Sequence, residues 1–465
     1  MKTKSEILNT LEEYLSNKLF DKFYPLIIDK QNGGFLCNLS SDWQFVDPQD
    51  KMIVTQARHT WTPAKAVPFF PGNSKYENAM WHGVKFLKDV MWDDKFGGFY
   101  TMRNAEGGLS DYRGYFEEKR TYGNAFAVYA LAAVYELTKN PEVLDFAIAA
   151  HNWIEEHAYD HVLGGYFQFL TREGKPFSAE DIKNTKASDA NEAYYKDQNS
   201  SIHLIEAYTE LYNVWKDERL KSRLNELLLL IRDTITTEKG YMNLFFTHDW
   251  KPVSFRNSSK EEREKNYGLD HVSFGHDYET AFLMLEASYT LGLKDDVRTL
   301  QIAKKMVDHA IANGFDEEVG GFYEAGYYFA GEDKCTIINS SKNWWSQAEG
   351  LNSLLLMARI FPEEPKYYEH FLKQLDYVDK YFIDHARGGW YEYGLDKNPE
   401  SVDSLKGNIW KACYHEGRSI MNCIKMLSDE DYPLYKSSPR FAKIKDETEH
   451  FLEHWKRVKE SELKN

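Results

Sequence analysis

One short pattern recurs along the chain: an aspartate, three residues, two glycines and an aromatic residue. It stands at Gly33-Gly34-Phe35, Gly97-Gly98-Phe99, Gly164-Gly165-Tyr166, Gly320-Gly321-Phe322 and Gly388-Gly389-Trp390, behind Asp29, Asp93, Asp160, Asp316 and Asp384. A degenerate copy, Lys239-Gly240-Tyr241, fills the gap between Gly164 and Gly320, so six units follow one another at spacings of 64 to 81 residues. Self-similarity of this kind means a repeated supersecondary unit that buries its apolar face only against its neighbours. The glycine pair marks a turn, because glycine takes backbone angles other residues avoid. The aspartate can fix that turn by accepting nearby backbone N–H groups. The aromatic run after it suits a short strand.

The rest of each unit reads as two helices. Residues 74–90 place Met80, Val84 and Leu87 at helical spacing. Residues 122–137 are apolar almost all round, as a fully buried helix is, and 200–215, 277–292 and 345–360 repeat that type. Residues 141–157, 218–235, 296–312 and 364–382 are amphipathic. Six helical hairpins with alternately buried and amphipathic members predict an all-α fold, an (α/α)6 barrel with short β-hairpins or strands in its loops. Length alone favours several domains, but the repeat makes residues 1–465 one catalytic barrel. Two polar stretches, 171–197 and 251–270, read as long loops, equally as surface insertions or as a lid.

Composition removes other classes. A net charge of −16 offers no footprint for nucleic acid or an anionic membrane surface. No apolar run approaches a membrane span, and the start, Met1-Lys2-Thr3-Lys4-Ser5-Glu6, shows no secretory signal. Four cysteines without a C-x-x-C pair favour a reducing compartment, so the expected location is the cytoplasm. Aromatic residues are abundant at 15%, which fits a well-filled core and also a cleft whose rings stack on sugars.

In such a barrel the loops entering the inner helices share one end. The residues at those helix starts are Arg58 and Trp61; Tyr122 and Asn124; Asn199 and His203; His276 and Glu279; Trp344, Trp345 and Glu349; and Trp410, His415 and Arg418. Converging polar groups at a barrel mouth make the default site. His276 and Glu279 are three apart and share a helical face, where a carboxylate would raise the imidazole's pKa and fix its tautomer. His151, His157 and His161 have metal-like spacing but fall around an outer helix end and read as surface histidines. Cys413 reads as packing. No H-E-x-x-H, P-loop, G-x-G-x-x-G or G-x-S-x-G motif is present.

These residues carry a resemblance. The segments KDQNSSIHLIEAYTELYNVW (196–215), FGHDYETAFLMLEA (274–287), WWSQAEGLNSLL (344–355) and WKACYHEGRSIM (410–421), with Arg58-x-x-Trp61, resemble the N-acylglucosamine 2-epimerase superfamily, and within it the cellobiose 2-epimerases. The resemblance implies chemistry at carbons 1 and 2 of a reducing sugar, with no metal and no nicotinamide. It implies acid/base roles for His276 and His415, a carboxylate role for Glu279, and a third active-site histidine at His203. It assigns Arg58 to the sugar oxygens and Asn199, Tyr122, Trp345 and Trp410 to substrate contact, with Trp344 and Glu349 beside them. The implied reaction opens the sugar ring, removes the proton on carbon 2 to give a cis-enediolate, and returns a proton to the opposite face. Returning it to carbon 1 instead would make an aldose–ketose isomerase. A glycoside hydrolase using Glu279 and Glu349 and a non-catalytic sugar-binding protein are the readings from other classes. The expected partner is a small sugar, with neither nucleic acid nor membrane, and the expected state is a monomer or homodimer. The chain is longer than usual family members, mainly through 171–197 and 251–270.

Overall fold

The computed structural model describes residues 3–293 and 296–428. The expectation of one barrel for the whole chain extends to 429–465, which lie outside the described residues. Twelve long helices build the barrel, alternating outer and inner. The outer helices are α1 (Lys4–Glu13, continuing in wider turns over Tyr14–Phe20), α3 (Ser74–Phe86), α5 (Pro141–His157), α7 (Glu218–Leu230), α9 (Val297–Gly314) and α11 (Pro365–Tyr381). The inner ones are α2 (Ile53–Ala66), α4 (Thr121–Thr138), α6 (Gln198–Val214), α8 (Phe274–Thr290), α10 (Trp344–Ile360) and α12 (Tyr414–Ser428). Inner helices pack in sequence order and α12 returns against α2, closing the ring. This is the (α/α)6 barrel the repeat predicts.

Local chemistry explains the helix ends. α5 begins with Pro141, and the Asn140 side chain accepts the Glu142 N–H, a combination that supplies both a preset φ and a cap. Asp197 and Asn343 cap α6 and α10 in the same way. Alanines at 125, 127, 130, 132 and 133 favour the helix and let α4 approach its neighbours from all sides. The two polar stretches are more ordered than long loops. Residues 251–270 contain a helix, Lys260–Asp270, capped by Ser259 and with Glu261 and Glu262 in its first turn. It has almost no apolar stripe, so periodicity does not reveal it. Residues 171–197 contain the short helix Ala179–Asn184 behind a Ser178–Asp181 capping box.

Both glycines of each of the five regular turns have φ between 67° and 95°, where a side chain would be strained. Each turn is fastened by a residue outside the motif. Lys51, Lys119, Lys196, Lys342 and Lys406 are buried. They reach Asp29, Asp93, Asp160, Asp316 and Asp384 at 2.7, 3.1, 2.7, 2.9 and 2.8 Å. Burial works against the charge on these carboxylates, but hydrogen bonds from the lysines, from the turn N–H groups and, at Asp93, from Arg172 hold all of them below the ordinary range. Lys51, Lys119 and Lys196 also donate to the carbonyls of Ala105, Arg172 and His248 in the following unit. The lysine therefore stitches one repeat to the next.

The degenerate unit lacks the whole device. Thr237 stands where the aspartate would, its N–H donating to Tyr241 O at 2.8 Å just as Asp29 donates to Gly34 O. Val272, fully buried, stands where the lysine would, two residues before α8. The two charges are absent together, as expected when either alone would be a buried unpaired ion. Before α2, α4 and α6 the entering strand joins a two-stranded ladder, as Lys51–Met52 does with Met102–Arg103. Here Val272–Ser273 is the edge of a three-stranded sheet with Ala325–Tyr327 and Thr336–Asn339.

Candidate functional site

The starts of the inner helices surround a cavity of about 650 Å³. Arg58, Tyr122, Asn199, His203, His276, Glu279, Trp344, Trp345, Trp410 and His415 all line it. Of the other helix-start residues, Glu349 lies fully buried behind the wall. Trp61 packs in the core stacked on Tyr129, and Asn124 accepts the Phe99 N–H at 2.8 Å.

His203 and His415 are each backed by a carboxylate. His203 Nδ1 lies 2.8 Å from Glu206, one turn along α6. His415 Nδ1 lies 2.8 Å from Glu349 on α10 and 3.9 Å from Glu279 on α8. A carboxylate on Nδ1 fixes the tautomer and leaves Nε2 as the base. His276 differs, because its Nδ1 meets only the Ser273 hydroxyl, at 2.8 Å. Burial, with the His203 and His271 charges, lowers it to about 3. Burial and the Arg58 cation likewise hold His415 well below the usual imidazole value, against the pull of Glu279. His276 and His415 flank one ring: Trp345 lies 4.6 Å from the first and 5.8 Å from the second, centroid to centroid.

The expected pairing of Glu279 with His276 does not form. They share a helical face, but the His276 ring turns back to Ser273 while Glu279 accepts a hydrogen bond from Arg418 on α12. His276 is accordingly lowered rather than raised. Glu349, expected at the sugar, instead supports His415 from below. Two participants lay beyond the expected set. Glu206 was legible as the i+3 neighbour of His203, whereas Ser273 carried no signal.

Arg418 joins these parts. Its Nη1 donates to Glu206 and its Nη2 to Glu279, and Nη2 also lies 2.7 Å from Glu349. Tyr414 completes the group by donating to Glu206. Glu279, Glu349 and His415 are close enough to resemble a cation site, but the cation between the two carboxylates is this guanidinium. Arg58, on the opposite side of the ring closure, donates to Trp410 O at 2.9 Å and to the Tyr122 hydroxyl at 3.2 Å. Its guanidinium lies 4.6 Å from the Phe126 ring centre, and its Nε is buried with no protein partner among the described residues.

The rim adds groups from the loops. Glu324, pushed up to about 7 by burial, binds Asn343 at 2.5 Å. Tyr112 and Arg113 come from the loop before α4, which residues 186–189 clamp: Ser188 N–H donates to Arg113 O, and Asp189 pairs with Arg120 at 2.9 Å. No residue of 171–197 or 251–270 itself lines the cavity. His151, expected on the surface, is fully buried against Tyr208, and His161 is exposed. Cys413 packs in the core, 3.6 Å from the Tyr24 hydroxyl. No described helix is long and apolar enough to cross a membrane.

Comparison with known proteins bears on the fold and the family. The chain is 28% identical over 420 residues to the cellobiose 2-epimerase of Bacteroides fragilis, covering 90% of this chain and 98% of that one. Its fold is similar to the solved cellobiose 2-epimerase of Bacillus thermoamylovorans, with a TM-score of 0.76 at 23% identity over 90% of this chain and 99% of that one. It is similar also to a D-mannose isomerase, with a TM-score of 0.75 at 22% identity over 90% and 97%. The family model for N-acylglucosamine 2-epimerase (GlcNAc 2-epimerase) matches residues 33–417, and the chain belongs to that family.

Proposed function

We propose that the protein is a carbohydrate 2-epimerase, inverting carbon 2 of a reducing-end aldose of the glucose/mannose type, free or as a β-1,4 disaccharide such as cellobiose. The observation that carries this reading is the pair His276 and His415 on either side of Trp345, each with Nδ1 tied back and each kept neutral by burial. Two neutral imidazoles facing one cavity from different walls suit removal of a proton from one face of a carbon and its return to the other.

In this reading His203 or His415 relays the proton that ring opening moves from the hydroxyl on carbon 1 to the ring oxygen. One of His276 and His415 then takes the carbon 2 proton, and the electron pair passes into a cis-enediolate. Arg58 holds the oxygens on carbons 1 and 2, a contribution of about 3 kcal/mol for a well-aimed donor. The other histidine protonates carbon 2 from the opposite side, and the ring recloses. Trp345, Trp410, Trp344 and Tyr122 pack against the sugar, and Asn199 offers a buried Oδ1 with no protein partner among the described residues.

The hydrolase reading is disfavoured by the same geometry. Glu279 and Glu349 share one guanidinium nitrogen of Arg418, so they stand side by side rather than across a glycosidic bond. The four free, buried cysteines suit the cytoplasm, and we place the enzyme there as a monomer or homodimer.

The test is incubation with mannose and with cellobiose in heavy water containing EDTA, followed by NMR. Deuterium at carbon 2 together with the epimeric aldose is expected, and a ketose product would move the assignment to isomerase. His276→Asn and His415→Asn should each lower turnover at least 1,000-fold while circular dichroism stays unchanged. Near-normal turnover in either variant would overturn the assignment.

A further inference from the structure

The histidines of this cavity do not stand alone, and what connects them is a residue that does not line it. Arg418 is buried beneath the cavity floor. Glu206, Glu279 and Glu349 come from three different helices, and each accepts from or pairs with its guanidinium. Glu206 supports His203 and Glu349 supports His415. Three carboxylates thus meet in the dry interior at one cation, and two of them are the anchors of the ring nitrogens.

We propose that Arg418 is a positioning residue of the reaction: it holds Glu349 in register behind His415, supplies the cation that opposes its neutralisation, and joins the Glu206–His203 pair to the same unit. The inference rests on the epimerase reading of the cavity. Three physical points support it. A carboxyl in this environment tends to neutralise. Burial does push Glu349 up, and Arg418 is the largest opposing influence. A neutral Glu349 would no longer stabilise the imidazolium that His415 becomes on taking a proton. Glu206 has the opposite balance: burial raises it, but Arg418, His203 and Tyr414 bring it to about 2. Finally, the guanidinium's planar fork reaches separate carboxylates through Nη1 and Nη2 at once, which a lysine ammonium cannot reproduce.

The groups facing His415 are Arg58 from α2, His203 from α6, Glu279 from α8, Glu349 from α10, and Tyr414 and Arg418 from its own helix. Removing Arg418 takes away a cation, which makes protonation of both Glu349 and His415 easier. Both shifts move the acid limb of kcat/KM towards higher pH.

The experiment compares Arg418→Met, Arg418→Lys, Glu349→Gln and Arg418→Met with Glu349→Gln, measuring kcat, KM and the pH profile beside the wild-type enzyme. Arg418→Met should lower kcat about 100-fold with KM within about 3-fold, and shift the acid limb up by about one pH unit. The double variant should be no slower than Arg418→Met alone, because both substitutions remove the same charged Glu349. Arg418→Lys should recover about 10-fold. If Arg418→Met does not fold, Arg418→Lys in the Glu349→Gln background gives the same answer through non-additivity. Losses that multiply, a change confined to KM, or an unmoved pH profile would overturn the proposal. A wild-type protein with no isotope exchange on either sugar would instead overturn the functional reading.

Discussion

The walls that carry His203 (α6) and His415 (α12) are built differently from the wall that carries His276 (α8). On the first two, each imidazole rests on a buried carboxylate, and both carboxylates meet Arg418. On the third, the imidazole rests on one hydroxyl and no carboxylate. The scaffold beneath differs too, since α6 and α10 follow segments fastened by the paired lysines Lys196 and Lys342, and α8 follows Val272. The carboxylates pull the proton affinity of His415 up, yet burial and the Arg58 cation still leave it well below the ordinary imidazole value. His276 has no such counterweight, and burial lowers it to about 3. The difference teaches that two chemically identical side chains can be kept neutral by different balances of burial and charge.

The largest expected effect is on the scaffold. Lys196→Met leaves Asp160 buried without its partner and should cost about 3–5 kcal/mol in chemical denaturation. Asp160→Thr with Lys196→Val, which copies the fourth repeat, should cost less than Lys196→Val alone. A double variant worse than the single would break the argument that the charges are absent as a pair. Next, Glu349→Gln should lower kcat about 100-fold, whereas Ser273→Ala, on the other wall, should cost no more than about 5-fold. Equal losses would erase the contrast between the walls.

The pH dependence sharpens it further. The base must be neutral, and both histidines are held below the free imidazole value of about 6.5. Activity should therefore persist as pH falls through 6.5, with more than half of kcat/KM kept at pH 5.5. The scaffold survives there as well. The turn aspartates have lowered values, with Asp384 at about 2. Their stabilisation is complete above the unfolded value of about 4 and is lost only as pH falls towards the folded ones. An acid limb centred at 6.5 would show that burial does not tune these rings.

Much of this was legible in the sequence. The D-x-x-x-G-G pattern announced six units, and helical periodicity located both layers, because turns and amphipathic faces are local features. The lysine partner was not, since it follows its aspartate by 22, 26, 36, 26 and 22 residues and no fixed spacing exists to notice. The site residues were found by their place at helix starts, but their pairings were misjudged. Sharing a helical face predicts neighbours on an isolated helix. In a ring of six, the partner lies across the axis: Glu279 meets Arg418, 139 residues away. The helix at Lys260–Asp270 was missed because it is held by its cap and charges rather than by an apolar stripe.

The unstitched repeat has a consequence for motion. In a closed ring each segment is clasped from both sides, so one can loosen while the barrel stays shut. The cheapest such excursion is expected at Thr236–Met242 and Val272–Gly275, where no buried lysine fastens the turn and the only ion pair among the described residues is the exposed Lys239–Asp333. Amide hydrogens there should exchange with solvent ahead of those of the five stitched turns, which hydrogen-exchange mass spectrometry would read. That segment leads directly into His276, so the histidine seated on a hydroxyl also stands behind the turn that no buried lysine fastens.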